Sequence, residues 1–272
     1  MGLLRYVWQR VKARTNRLIL RSETREICPT PRNAANDDFD LSIAELEQRA
    51  AQIPSMGGKE AGPILRSLAR NAPPNTAIVE VGSWLGAGTA QLAIGVRERG
   101  DHQPMRIHAY DRWIASSAEI EKAMRKANLS FKKGEDTLPW VMDLLRPFDV
   151  PITFVKGDIS CVRWEDGPIS VYVDDAAKAP KRFFHMLRTF GPHWIPGLTT
   201  LVLMDYFYWQ KTGSEEHKCQ TYFIESHSEY FEPVQGFRKG SNAAFVYQKK
   251  LEFERLAYNS LLYPAARQVE LS

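Results

Sequence analysis

From Pro74 onward, short β-rich runs alternate with helical stretches, and this alternation limits what the chain can fold into more than any other feature. The runs are TAIVEVG (76–82), MRIHAYD (105–111), ITFVKGD (152–158), ISVYVDD (169–175) and TTLVLMD (199–205), with helical patterns near 87–99, 117–127, 137–146 and 180–190. Such a pattern specifies a mostly parallel sheet with helices on both faces, an α/β architecture. All five runs end in, or next to, an acidic residue or a glycine. Ligands of an open parallel sheet bind outside the carboxyl ends of its strands, so chemistry is sought there first.

Two helices are expected upstream, over about 41–52 and 58–70, the second stopped by Asn71-Ala72-Pro73-Pro74. Downstream, 228–249 reads as two antiparallel strands joined through Lys239-Gly240-Ser241-Asn242, and 251–268 as a helix. Residues 2–21 read as an amphipathic helical extension, with Leu4, Val7, Trp8, Val11 and Leu18 on one face and Arg5, Lys12 and Arg17 off it. The segment from Ile27 to Asp38 has two prolines and no periodicity, as a linker would. The chain therefore divides into an arm and linker over 1–38 and one domain over 39–272.

Charge is distributed unevenly between these parts. The 272 residues carry 36 Lys and Arg against 32 Asp and Glu, a net +4, yet residues 1–32 alone hold eight basic and two acidic side chains. The remainder is mildly acidic, which argues against a nucleic-acid-binding surface. An arm that is basic on one side and apolar on the other either packs on the domain or a partner subunit, as in a homo-oligomer, or docks on a membrane surface. Cys28, Cys161 and Cys219 are odd in number and far apart, so neither a disulfide framework nor a zinc site is indicated. No apolar stretch approaches the roughly 18 residues a membrane span needs. The expected location is the cytoplasm, with peripheral contact at the inner membrane face through residues 2–21 if the arm docks.

The segment Glu80-Val81-Gly82-Ser83-Trp84-Leu85-Gly86-Ala87-Gly88 follows an expected strand and opens an expected helix. A dinucleotide loop would want a third small residue where Gln91 stands, and a phosphate loop would want Gly-Lys-Ser/Thr, which is absent. What remains is an acid at a strand end with glycines at the turn, suited to a zwitterionic ligand more than to a polyphosphate.

With Asp111, Lys156-Gly157-Asp158, Asp174 and Asp205 at later strand ends, the order of landmarks resembles class I S-adenosylmethionine-dependent methyltransferases. The nearest resemblance is to bacterial macrocin-type and catechol-type O-methyltransferases, over about residues 57–250. It implies a Rossmann-like sheet whose last strand is antiparallel, and S-adenosylmethionine as cofactor. It also implies that Glu80, Gly82 and Gly86 lie along the methionine moiety, that Asp111 accepts from the ribose hydroxyls and that Asp158 sits near the adenine. Ser83, Trp84 and Arg112 flank these positions; Trp84 and Trp113 either stack on the adenine or fill the core.

On the acceptor side, Val173-Asp174-Asp175-Ala176-Ala177-Lys178 and Met204-Asp205-Tyr206-Phe207-Tyr208-Trp209 supply the candidate catalytic residues Asp174, Asp175, Lys178 and Asp205. In catechol-type relatives, carboxylates at these strand ends hold a magnesium ion, for which Asp174, Asp175 and Asp205 are the candidate ligands here. The relatives follow the second acid with Asn, whereas Tyr206 stands here, so either a metal or Lys178 neutralises the carboxylates. Tyr206, Tyr208 and Trp209 either stack on an acceptor or pack, and His185 reads as a packed helix residue. An insertion at about 113–150, with Lys132, Lys133 and Trp140, is expected to cover the acceptor site. The expected activity is O-methylation of a sugar or other small polar hydroxyl compound. The alternative is a non-catalytic cofactor-binding or membrane-docked scaffold of the same fold.

Overall fold

The computed structural model describes residues 25–27, 41–55, 61–100, 105–115, 121, 124, 127–237 and 240–262. The amphipathic segment 2–21, nearly all of the linker and most of the helical pattern near 117–127 lie outside these residues.

Among the described residues eight strands form one sheet: β1 (Arg25–Ile27), β2 (Ala77–Val81), β3 (Arg106–Asp111), β4 (Ile152–Lys156), β5 (Ile169–Asp174), β6 (Thr200–Leu203), β7 (Phe231–Pro233) and β8 (Ala243–Tyr247). Their spatial order is β1-β4-β3-β2-β5-β6-β8-β7. Strands β2 to β6 are mutually parallel, and β8 runs antiparallel between β6 and β7. The chain leaves β2 towards β3 and β4 on one side and returns to β5 and β6 on the other, so the order reverses between β2 and β5. A crevice opens above such a switch point. Register places Val81 beside both Tyr110 and Asp174, and Asp174 beside Leu203, so the loops that follow these strands share one rim.

β2 and β5 are buried along their whole length, as central strands covered on both faces must be. Alternation sends Ile78, Ile107, Val171 and Val173 into one core with Leu46, Leu65, Leu92 and Phe148. It sends Val79, Val81, Tyr172 and Leu203 into the other with Phe183, Phe190 and Phe223. The first core lies under α1 (Ile43–Gln52), α2 (Gly62–Asn71) and α3 (Ala87–Arg97), and it reaches α4 (Leu138–Leu145) of the insertion. The second lies under α5 (Pro180–Phe190) and α7 (Cys219–Ser226); the single turn α6 (Trp209–Thr212) precedes α7. Helix starts follow local chemistry: Ser42 and Glu45 form a reciprocal capping box on α1, and Pro180 opens α5.

The fold departs from the sequence reading in two places. β1, inside the segment read as arm and linker, adds antiparallel to the β4 edge, with Arg25 opposite Lys156 and Ile27 opposite Phe154. The expected helix over 251–268 is, within the described residues, two 3₁₀ turns, Phe253–Arg255 and Tyr258–Leu261. Phe253 is fully buried and packs edge-on against Trp194, with ring centroids 5.1 Å apart. Leu256 and Leu261 are buried in the same core, so the segment is held by spaced apolar anchors instead of a continuous helical face. No helix among the described residues is long and apolar enough to cross a membrane.

Candidate active site

The turn after β2 is shaped by glycine. Gly82 has φ +90°, and a Cβ there would lie 2.8 Å from the Asp175 carbonyl carbon. Only a residue without a side chain lets the loops after β2 and β5 close on each other this tightly. The Gly82 and Ser83 amides both donate to the Tyr110 carbonyl, at 2.8 and 3.2 Å, which ties the turn to β3. Gly86 caps α3 with left-handed backbone.

Glu80, buried on β2, accepts from the Thr89 hydroxyl in the first turn of α3, and Ser83 Oγ is 2.7 Å from the same hydroxyl. Burial pushes the Glu80 carboxyl up to about 7, opposed by the Thr89 and Ser83 hydroxyls. A side chain at Gly88 would strike the Glu80 carboxylate, so a glycine is required there for the acid to tuck beneath the helix start. Glu80 therefore braces the glycine loop from below.

At the end of β3, Asp111 is held from both sides. Its Oδ2 accepts from the Trp84 amide at 2.9 Å and its Oδ1 from the Trp113 amide at 2.8 Å. Both tryptophans have positive φ, 47° and 44°, a conformation uncommon for bulky residues, and it accompanies both amides that point at the carboxylate. Burial raises the Asp111 carboxyl above its usual range, while the surrounding amides and the exposed Arg112 oppose the shift. Each oxygen has acceptor capacity left after its amide. Trp113 is a core residue, edge-on to Phe154 at 5.8 Å, whereas Trp84 is only half-buried beside the glycine loop. Asp158 caps the 3₁₀ turn Ile159–Cys161, with Oδ1 accepting from the Ser160 amide at 2.9 Å. That amide, with Arg182 and Arg112 nearby, holds its carboxyl below the usual range.

On the other side of the switch point, Asp174 is fully buried and engaged by its own chain. Oδ1 accepts from the Ala176 and Ala177 amides at 3.1 and 2.9 Å, and Oδ2 from the Tyr172 hydroxyl at 3.1 Å. Burial pushes its carboxyl up to about 6 against those donors. Asp174 thus builds the turn that presents Asp175 and Lys178. The Asp175 amide donates to the Val81 carbonyl at 2.8 Å. Burial, then the negative field of Asp205, push its carboxyl well above the ordinary range; Lys178 opposes them, and Glu80 and Asp174 add to them.

Lys178 Nζ sits 2.9 Å from Asp205 Oδ2 and 5.2 Å from the centre of the Tyr208 ring. Burial favours loss of its proton, but Asp205 and Asp175 outweigh burial and hold Lys178 as an ammonium. Tyr206 is buried against Phe207 and Phe245, at 4.7 and 5.1 Å between ring centres, and belongs to the core. Tyr208 and Trp209 are half-buried, with Tyr208 tilted on His217 at 5.1 Å and the Lys218 ammonium 4.8 Å from the Trp209 ring. His185, on α5, is on the Val162 and Asp158 side of the fold, and burial lowers its proton affinity.

The magnesium site that the resemblance implied at Asp174, Asp175 and Asp205 is not supported by their arrangement. Among the described residues no three His, Cys, Asp or Glu side chains come together as metal ligands. The physical reason is local: Asp174 is taken up by three internal donors, and an ammonium already stands on Asp205.

The insertion is fastened to the β3 and β4 side of the rim. Ala115 and Thr137 amides donate to the Glu135 and Trp113 carbonyls at 3.0 and 2.8 Å, and Lys156 pairs with Asp136 at 2.5 Å. α4 then lies on the glycine loop, where a Cβ at Gly86 would meet Leu145 at 3.1 Å and Val141 at 3.3 Å. Phe131 and Trp140 pack edge-on at 5.8 Å, and Lys132 and Lys133 are exposed. A separate open cavity of about 760 Å³, lined by Pro168, Pro192, Trp194 and Arg255 among others, lies at the opposite end of the sheet.

No protein-family model and no curated protein matches the sequence. Among solved structures, the O-methyltransferase NovP is similar at 14% identity, covering 79% of this chain and 84% of that one, with a TM-score of 0.47. An O-methyltransferase from Bacillus cereus in complex with SAH is similar at 16% identity over 79% of this chain and 93% of that one, with a TM-score of 0.42. The SAH-bound methyltransferase PaMTH1 from Podospora anserina aligns at 12% identity over 92% and 98%, with a TM-score of 0.42. The chain's own strand order, with parallel β2 to β6 and the reversed β8 inserted beside β6, is a Rossmann-like arrangement with the antiparallel last strand that the resemblance implied.

Proposed function

We propose that the chain is an S-adenosylmethionine-dependent methyltransferase acting on a hydroxyl of a sugar or another small polar compound. The observation that carries this reading is the pairing of two halves across the switch point. On one side a glycine turn stands beside Asp111, whose oxygens each keep acceptor capacity for a ribose hydroxyl. On the other, Asp175, Lys178 and Asp205 gather charged groups where an acceptor hydroxyl must be oriented and deprotonated.

Glu80, Gly82, Ser83, Trp84 and Gly86 would line the amino-acid end of the cofactor, and Asp111, Arg112 and Asp158 the nucleoside end. S-adenosylmethionine supplies a methyl group on a positively charged sulfur. The chain's task is to place the acceptor oxygen in line with that methyl and to take the hydroxyl proton. Asp175 is the proposed proton acceptor, because burial and its acidic neighbours raise its proton affinity above that of an ordinary carboxylate. Asp174 acts on it through the turn and does not itself contact the acceptor. Tyr208 and Trp209 offer flat faces for the acceptor.

Calorimetry with S-adenosylhomocysteine tests the cofactor half: one site at micromolar affinity, about −8 kcal/mol, is expected, and no binding refutes it. Docking of residues 2–21 on anionic membrane, self-association and a cytoplasmic location are further parts of this proposal, motivated by the basic amphipathic sequence of the arm and the scattered cysteines.

A further inference from the structure

We propose that the Lys178 ammonium is a built-in cation occupying the place of a divalent metal in the acceptor site, so that this site works without one. The inference deepens the methyltransferase reading and rests on it for the acceptor chemistry. Its structural part stands on three observations that concern only the chain.

First, the ammonium is fixed. Nζ lies 2.9 Å from Asp205 Oδ2 and 5.2 Å from the Tyr208 ring centre, an ion pair on one side and a cation–π contact on another. The backbone beneath is pinned as well: the Lys178 amide donates to the Ala176 carbonyl at 3.1 Å, and Cys219 Sγ donates to the Lys178 carbonyl at 3.7 Å. Second, the oxygens a metal would need are engaged. Magnesium requires near-octahedral oxygen ligation. Asp174 has a donor on each oxygen, and Tyr206, following Asp205, is turned into the core against Phe245. Third, the ammonium that pairs with Asp205 also acts on the neighbouring Asp175, where it offsets part of the like-charge repulsion between the two acids.

An ammonium has three donors and no acceptor. With the ammonium in ion-pair contact with Asp205 on one side, donors remain for the acceptor oxygen. The step then balances with groups of the chain alone. The acceptor O–H gives its proton to the Asp175 carboxylate and the oxygen forms the bond to the methyl carbon. The carbon–sulfur bond breaks with its electron pair left on sulfur, yielding a neutral thioether. Lys178 stabilises the negative charge that builds on oxygen as the proton leaves, a fixed positive group aimed at developing charge.

The test uses the full chain and Mn²⁺ as the probe, read by calorimetry and by the shift in thermal midpoint, neither of which depends on turnover. Wild type is expected to bind no Mn²⁺ up to 1 mM, about the weak limit of carboxylate sites, and to keep full methyl transfer in EDTA. Lys178→Met leaves Asp175 and Asp205 without their cation and is expected to gain one Mn²⁺ site with Kd of roughly 0.1–1 mM. Lys178→Met/Asp205→Asn should lose that site again. Lys178→Arg, which keeps the charge, should stay within about tenfold of wild-type turnover, a barrier change of ~1.4 kcal/mol. Stoichiometric Mn²⁺ binding by wild type, loss of activity on chelation, or no gained site in folded Lys178→Met overturns the proposal. If Lys178→Met fails to fold, the wild-type titration and the arginine variant still decide. S-adenosylhomocysteine binding, measured alongside, tests the underlying methyltransferase reading separately, since Lys178 touches only the acceptor half.

Discussion

Replacing Asp111 by asparagine should be nearly as damaging as replacing it by alanine, and the reason lies in the two amides that hold it. Each carboxylate oxygen takes one backbone N–H, from Trp84 at 2.9 Å and from Trp113 at 2.8 Å. Asparagine keeps the shape but has one acceptor oxygen, so whichever way the amide is turned its NH₂ faces one of these N–H groups. One strong bond is lost and a donor is set against a donor inside a buried turn. A hydrogen bond to a charged group contributes about 1.5–3 kcal/mol, and an unsatisfied buried donor costs a further 1–3 kcal/mol. The loop around Trp84 and Trp113 should therefore lose roughly 3 kcal/mol.

The ribose end of the cofactor loses its carboxylate at the same time. Affinity for S-adenosylhomocysteine should fall by about two orders of magnitude in Asp111→Asn and by at least as much in Asp111→Ala, each 1.4 kcal/mol being a factor of ten. Calorimetry gives the affinities and thermal unfolding gives the loop cost. An Asp111→Asn protein that binds within twofold of wild type, with an unchanged melting midpoint, would refute both the clamp and the assignment of Asp111 to the cofactor.

Three other perturbations probe the remaining parts. Gly82→Ala places a methyl group 2.8 Å from the Asp175 backbone at a φ of +90°, which should cost roughly 2–3 kcal/mol and lower the thermal midpoint by several degrees; unchanged stability would mean that the two loops do not abut. Glu80 and Asp174 titrate near 7 and 6 when folded, above their unfolded values of 4.5 and 3.8, so the folded state holds the extra protons. Their contribution to stability should accordingly be greatest at low pH and be lost as pH rises through about 4 to 7, and Glu80→Gln should remove roughly 3 kcal/mol of that fall across the window; denaturant melts at pH 5 and 8 would show the same change in stability for both proteins if Glu80 does not carry the charge cost. Deleting residues 1–24 spares β1 and should leave fold and S-adenosylhomocysteine binding intact while abolishing co-sedimentation with anionic vesicles; a truncated protein that still sediments with them would place the membrane contact elsewhere.

The parallel core was legible because its strands are β-rich and buried on both faces, and because prolines and glycines punctuate the chain between them. The glycine turn and the acids at the strand ends were legible for the same reason: strand ends are visible in sequence and parallel strands bring them to one rim. β1 escaped because Arg25-Glu26-Ile27 has no alternation of its own and becomes a strand only by pairing with the β4 edge. The C-terminal segment misled because Phe253, Leu256 and Leu261 carry apolar weight at spacings that three separate contacts satisfy as well as a helix does.

Side-chain roles were harder to read than positions. In sequence Asp174 reads as a ligand or a base, whereas the Tyr172 hydroxyl is bonded to it; a tyrosine two residues earlier on one strand points to the same face and signals the pairing. Asp158-Ile159-Ser160 carries the turn-capping spacing openly. Thr89, which fixes Glu80, was invisible because its partner lies across a strand–helix junction. The engagement of Lys178 with Asp205 depends on two loops meeting across β5 and β6, which one sequence shows only as alternatives.

Methyl transfer to a small polar hydroxyl compound, carried out in the crevice above β2 and β5, is the activity proposed for this chain. The most direct test is to incubate the full-length protein with S-adenosylmethionine labelled on its methyl group and a fraction of small polar metabolites, then resolve the products by mass spectrometry. Labelled small molecules heavier by one methylene unit are expected, formed by wild type in the presence of EDTA and absent with Asp111→Ala. Binding of the cofactor with no labelled product from any fraction, or label recovered only on the protein itself, would contradict it.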